Sequence, residues 1–401
     1  MISDAPRVWW ETITGPQRFT NAVVSALKIG NFVILQLPAD FPWRRQFRFS
    51  VESLLRDHFD NASFDQIDCE ADIVDQDADD LDVAGYLLST SHADTVVRNG
   101  YRASSGLSIQ RYMIDHGVLS NSVTWVKGMQ SGQAIKWLEF CAKYPSRGIQ
   151  DGLFVLEVYS DVKSALPKDV FTVLRYEDYV SSYDALLFDN MLVSGMSEND
   201  EWLRYIAIVT SCLCGRDVEL SHHLVDRCDF ALNEPIDILF DLADTPEYRQ
   251  RADAPSLPQN HPFFMCRQSD EASLNRLLWR AQLQSLLPLI ESERLSLIEK
   301  HFDDIKEAIK KPFKSKAPNG SYVVKYDGTR IDDPFEVELG TIEFMLHKKR
   351  HDNGKPLFKL PSEEDLEHFS KLHIMRNSLA HMNACAPDSV SHFYSTYPYS
   401  W

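Results

Sequence analysis

The sequence lacks any apolar run long enough to cross a bilayer. Its most hydrophobic stretch, residues 202–215, is 14 residues long and contains Arg204, whereas a spanning helix needs about 20 apolar residues. A membrane protein is not expected. Positive charge is also in short supply: 41 lysines and arginines face 59 aspartates and glutamates, a net charge of −18. Bulk attraction to nucleic acid is thereby excluded, and any contact with phosphate has to come from a local patch. The only obvious sources of such a patch are residues 306–316 and 347–350. The opening MISDAPRVWWETITGPQ carries acids and aromatics where a secretory signal has a basic start and an apolar core. Cysteines number seven in 401 residues, an odd count that fits a reducing compartment better than a disulfide framework. The expected location is the cytoplasm.

What remains is an ordinary globular composition, 44% hydrophobic and 25% charged, with room for two or three domains. Short continuous apolar runs occur at residues 31–38 (NFVILQLP), 64–69, 122–126, 152–159 and 170–175, and helical patterns at 16–27 and 43–58 flank the first. Such runs separated by helices predict parallel strands covered on both faces, hence a doubly wound α/β domain with a mostly parallel sheet over residues 1–195. From about Met196 the apolar spacing becomes three and four, over 201–213, 220–243, 272–309 and 366–382, so the C-terminal region is expected to be all-α. The proline-rich 244–261 reads as a linker, making 196–260 a helical connector and 261–401 a helical domain. SYVVKY at 321–326, between Asn319-Gly320 and Asp327-Gly328, reads as a small β-hairpin insertion. Ser362 with Asp365 three residues later reads as a capping box for the last long helix.

Several chemistries fail on their residues. A P-loop needs glycines and a lysine to wrap phosphates, but the first strand runs into LPADFPWRR, which leaves only Arg44 and Arg45 to reach a phosphate. The strand GLFVLEVYSD offers Glu157 and Asp161 without an acidic pair at its end. Neither hydrolysis nor tight binding of ATP is expected, and the sheet reads as a scaffold, docking surface or sensor. Trp9, Trp10 and Trp43 are candidate anchors for a protein partner, or else pack on the sheet edge. Asp75, Asp77, Asp79 and Asp82 have Asp80 and Tyr86 where a calcium loop requires glycine and glutamate, so they read as a solvated loop entering a helix. Cys212, Cys214, His222, His223 and Cys228 match no paired-cysteine zinc spacing. No metal and no cofactor are expected.

One motif carries chemistry, Arg376-Asn377-Ser378-Leu379-Ala380-His381, late in a long helix behind LLWRAQLQSLLPLIESERLSLIEKHF. A histidine near neutral pKa moves a proton to or from a ribose hydroxyl, and an arginine fork holds the charge of a phosphorane. The string resembles the R-x4-6-H signature of HEPN domains. The order of elements resembles a degenerate P-loop or STAND NTPase-like module with a C-terminal HEPN-like domain, as in bacterial conflict and antiviral defence proteins. The resemblance implies a metal-independent endoribonuclease in which His381 transfers the proton, Arg376 stabilises the phosphate and Asn377 supports His381. Residues five apart on a helix sit about 140° from one another, and the family's answer is a homodimer with a composite site. RNA is then the substrate class. The alternative is a non-catalytic adaptor or scaffold subunit of a defence complex. His381 then simply hydrogen-bonds Asn377, while Arg376 pairs with Glu363, Glu364 or a neighbour's acid.

Overall fold

The computed structural model describes residues 4–73, 81–91, 93–158, 171–196, 198–246, 248–249, 257–317, 319–325 and 328–401. Asp75, Asp77, Asp79 and Asp161 lie outside these residues. The apolar runs form five strands, β1 (Phe32–Gln36), β2 (Ser63–Asp68), β3 (Ser122–Lys127), β4 (Leu153–Val158) and β5 (Phe171–Arg175). They assemble in the order β2-β3-β4-β1-β5 with every neighbouring pair parallel. All six residues of β4 are buried, which requires cover on both faces because successive side chains point to opposite sides. Helix α2 (Thr14–Lys28) packs on β1 and β5, and a further helix, Ser131–Lys143, on β4. The edge strand β2, SFDQID, has one buried position in six; its acids discourage pairing with another chain.

Helix α1 (Ala5–Glu11) places Trp9 and Trp10 in the core rather than on the surface. They are 0% and 1% exposed, and the Trp10 ring lies 4.7 Å from Phe47 and 5.2 Å from Phe41. This corrects their reading as partner anchors: the two side chains are packed among aromatic rings, where large apolar area leaves water. Helix α3 (Arg44–Arg56) buries Phe47, Ser50, Val51 and Leu55, spaced three and four apart as an amphipathic helix requires.

The chain divides into two compact units. The first comprises Met1–Leu192 with Gly215–His222 and Pro246–His261, and the second Val193–Cys214, His223–Thr245 and Pro262–Trp401. The segment expected as a separate connector, 196–260, is thus shared between the two. In the second unit, α4 (Asp200–Cys214) packs on the 30-residue α5 (Glu271–Lys300), which buries Leu274, Leu278, Ala281, Ile290 and Leu297 along one stripe. The single apolar pattern read over 272–309 is two helices, because the chain breaks at His301 (φ −111°, ψ 26°) before α6 (Phe302–Lys310).

Between α6 and α7 (Leu339–His347) the expected hairpin is reduced to isolated antiparallel bridges: Phe313 with Ser321, Phe313 with Arg350, Val324 with Arg330, and Lys349 with Pro356. Pro312 and Pro356 have no N–H to extend a ladder. Gly320 (φ 76°) and Gly328 (φ 85°) turn the chain within a few residues. Helix α8 (Glu363–Ala380) begins with the capping box: Ser362 Oγ accepts from the Asp365 N–H at 3.0 Å, and Asp365 Oδ2 accepts from the Ser362 N–H at 3.1 Å.

Candidate functional site

In the first unit the order of strands makes β1 the switch point, with β4 on one side and β5 on the other. Open α/β sheets bind ligands at the carboxyl ends of the strands at such a point. Here the protein's own side chains meet there. Glu157, near the end of β4 and 6% exposed, accepts from Trp125 Nε1 at 2.7 Å and from Arg44 Nη1 at 3.1 Å. The second Arg44 nitrogen donates to the Pro38 carbonyl at 3.0 Å, and Arg48 Nη1 stands 3.8 Å from Glu157. Burial lowers the Arg48 pKa, with Glu157 opposing that shift. Trp43, at the start of α3, takes the left-handed conformation (φ 43°, ψ 52°), and its N–H donates to the Glu219 carboxylate at 3.0 Å. A P-loop would aim backbone N–H groups at phosphate in this turn; here one of them meets an internal anion.

In the second unit the motif sits on the last turn of α8, which packs on α5 and α7. Two side chains of α5 fix this turn. Trp279 Nε1 donates to the Leu379 carbonyl at 2.7 Å, and the buried Gln282 amide donates to the Cys385 carbonyl at 2.9 Å and accepts from the Cys385 N–H at 2.6 Å. The helix closes in a Schellman arrangement. The Asn383 N–H reaches the Ser378 carbonyl at 2.9 Å, the Met382 N–H reaches Leu379 at 3.3 Å, and Met382 is left-handed at φ 59°. His381 is therefore the capping residue of α8, exposed, with no hydrogen-bond or ion-pair partner for its imidazole among the described residues.

Of the other two motif residues, Asn377 has a partner that differs from the one expected, and Arg376 meets an acid outside its own helix. Asn377 meets His373, with Nδ2 3.0 Å from His373 Nε2, instead of orienting His381. Both histidines are four residues from Asn377, so spacing alone does not separate them. His373 lies within the helix, where side chains four apart face one another, whereas His381 sits where the backbone leaves the helix. His373 in turn places Nδ1 2.6 Å from Glu343 Oε2 on α7, and Glu343 Oε1 is 3.4 Å from His347 Nε2. Arg376 faces neither Glu363 nor Glu364; its Nη2 stands 3.7 Å from Glu338 Oε2, at the start of α7. Glu338 and Glu343 are not legible in the sequence as site residues, because they precede the motif by some thirty residues and only the packing of α7 on α8 brings them to it.

Other chemistry is narrowed further. No group of three or more His, Cys, Asp or Glu side chains among the described residues is arranged to hold a metal ion. All seven cysteines are unbridged. Burial pushes the Cys69, Cys228, Cys266 and Cys385 thiols up to about 12, far from a reactive thiolate. No helix among the described residues is long and apolar enough to cross a membrane.

The first unit is thus an all-parallel α/β scaffold whose switch point is occupied by its own ion pair, and the second a helical unit with an arginine and a histidine at one capped helix end. No protein-family model matches the chain, and no curated protein matches it.

Proposed function

We propose that the second unit is a HEPN-like, metal-independent endoribonuclease and that the first is a degenerate NTPase-like module regulating it, in a bacterial defence or toxin setting. The observation that carries this reading is the end of α8, where Schellman geometry holds an exposed imidazole at His381, without a partner among the described residues, five positions beyond Arg376. His381 takes the proton from a ribose 2′-hydroxyl as the 2′ oxygen attacks phosphorus, Arg376 stabilises the charge on the phosphorane, and the 5′ oxygen leaves as its bond to phosphorus breaks, taking a proton from water, to which His381 later returns its own. The products are a 2′,3′-cyclic phosphate and a 5′-hydroxyl. Two copies of α8 form the composite site in a homodimer, since one chain does not converge the two side chains.

The second reading is a non-catalytic adaptor in a defence complex, and the Asn377–His373 contact favours it, because the amide expected to support His381 is engaged elsewhere. One experiment separates the two. Purified protein, with its mass in solution measured, is incubated with cellular RNA in EDTA, alongside His381→Ala and Arg376→Ala. EDTA-resistant cleavage leaving cyclic phosphates, lost in both variants with melting retained, supports the nuclease. Intact RNA with wild-type protein, in the presence of an activating partner, supports the adaptor.

A further inference from the structure

The two basic segments that stand out in this acidic sequence are brought together by the second unit. Phe313 is the junction, bridged antiparallel to both Ser321 and Arg350. The Lys314 N–H donates to the Lys349 carbonyl at 2.9 Å, the His351 N–H to the Pro312 carbonyl at 2.9 Å, and the Arg350 N–H to the Lys355 carbonyl at 2.7 Å. A third basic stretch around Lys355 is thereby added to the same surface. Lys314, Lys316, Lys348, Lys349 and Lys355 are all exposed, and none makes an ion pair among the described residues. Two acids reach this surface: Glu307, already shared by Lys311 and Arg350, and the exposed Asp352 in the turn between Lys349 and Lys355. The five lysines outnumber them, and like charges gathered with few counterions oppose folding; in a chain of net charge −18, such a patch is complementary to an external polyanion.

Beside the lysines opens a cavity of about 960 Å³ whose walls include Phe313, Tyr322 and Phe344. The Phe313 and Phe344 rings stand 5.1 Å apart, and Lys348 Nζ lies 5.2 Å from the Phe344 ring centre. Glu336 and Glu338, also in the wall, are offset by Lys325 at 2.8 Å and Arg376 at 3.7 Å. Lysines along a surface with aromatic rings opening between them are the two elements by which single strands are held, phosphates on the cations and bases against the rings. The pairing of Glu338 with Arg376 joins this cavity to the motif.

We propose that this face of the second unit is a single-stranded RNA-binding surface, with a nucleobase in the aromatic cavity and phosphates on Lys314, Lys348 and Lys349. The choice of RNA among polyanions rests on the nuclease reading of Arg376 and His381, and the lysine cluster and the cavity supply the rest. The surface leads the strand past Glu338 to Arg376.

The test is fluorescence anisotropy of the full chain with a short fluorescein-labelled single-stranded RNA over a range of salt. The doubly substituted Lys314→Glu, Lys348→Glu protein is expected to bind about tenfold or more weakly, with a salt slope shallower by about 1.4, near 0.7 for each phosphate no longer neutralised. Tyr322→Ala is expected to weaken binding about fivefold or more through the absence of stacking. Lys143→Glu, an exposed substitution in the first unit, is expected to leave binding unchanged, and melting temperatures verify that each variant folds. Equal RNA affinity in wild type and the double variant overturns the proposal. So does binding to phosphatidylserine vesicles or polyglutamate, in place of RNA, that the double variant loses. A cleavage assay keeps the two ideas apart: RNA binding by a wild type that does not cleave leaves the surface standing and removes the nuclease. Cleavage indifferent to the lysines does the reverse.

Discussion

Arg44 Nη1 lies 3.1 Å from Glu157 Oε2, joining the first turn of α3 to the end of β4 at the centre of the sheet. Glu157 is 6% exposed and also accepts from Trp125 at 2.7 Å, so a ligand at this switch point would have to displace a buried charge from its partners. Glu157→Ala leaves Arg44 and Arg48 without their carboxylate and is expected to cost about 3–5 kcal/mol, measured by urea denaturation. Because the crevice is occupied, saturating Mg-ATP is expected to leave the melting temperature of the wild type unchanged; a rise of several degrees would refute the degenerate reading.

Asp189 predicts an unusual response to pH. It is 0% exposed, and among the described residues neither carboxyl oxygen has a partner at good hydrogen-bond geometry. Burial raises its pKa well above the usual carboxylate value, with the nearby Ser221 hydroxyl opposing the shift. A carboxyl whose folded pKa is raised lets the unfolded state ionise first. This contribution to stability is present below about pH 4 and declines as pH rises toward the folded pKa. Asp189→Asn removes the titration. Relative to wild type it is expected to gain stability as pH rises above about 4, and a difference independent of pH would contradict the assignment.

Glu293 of α5 is also a buried acidic side chain and, unlike Asp189, a satisfied one. It is 2% exposed and accepts from the Tyr399 N–H at 2.9 Å and from Trp401 Nε1 at 3.1 Å. Glu293→Ala strands both donors and opens a cavity, and the expected loss is about 3 kcal/mol. Local hydrogen exchange at residues 399–401 should accelerate with it.

Met382 holds a left-handed conformation at φ 59° in the position after the cap that glycine usually takes. Relieving that strain with Met382→Gly is expected to stabilise the protein by about 1 kcal/mol, and this is readable as a higher midpoint in urea. The gain tests the capped geometry that presents His381.

The exposed His381 should be replaceable without structural cost. His381→Ala is expected to change stability by no more than about 0.5 kcal/mol, while cleavage falls about 10²- to 10⁴-fold if the imidazole transfers the proton. Asn377→Ala provides the contrast. Its amide serves His373, so its removal is expected to lower stability by about 1 kcal/mol and to reduce cleavage less than His381→Ala does.

Strands and the local ends of helices are legible in the order of residues. The runs at 31–38, 64–69, 122–126, 152–159 and 170–175 contain β1 to β5; β1, β3 and β4 are plainest, because a strand buried on both faces can hold few polar residues. The capping box at Ser362 and Asp365 is legible for a similar reason, its partners being three residues apart. The missing glycines of LPADFPWRR are plain from the chain, but not that Glu157 and Glu219 take up the arginine and the turn. Pairings across long separations arise only once the chain is folded. Packing buries Trp9 and Trp10, turns Asn377 toward His373 and His373 toward Glu343, and sets Arg376 against Glu338. It also gathers the lysines of 314–316 and 348–355 around Phe313. Periodicity reports which face of an element avoids water; which element covers that face depends on how the helices pack.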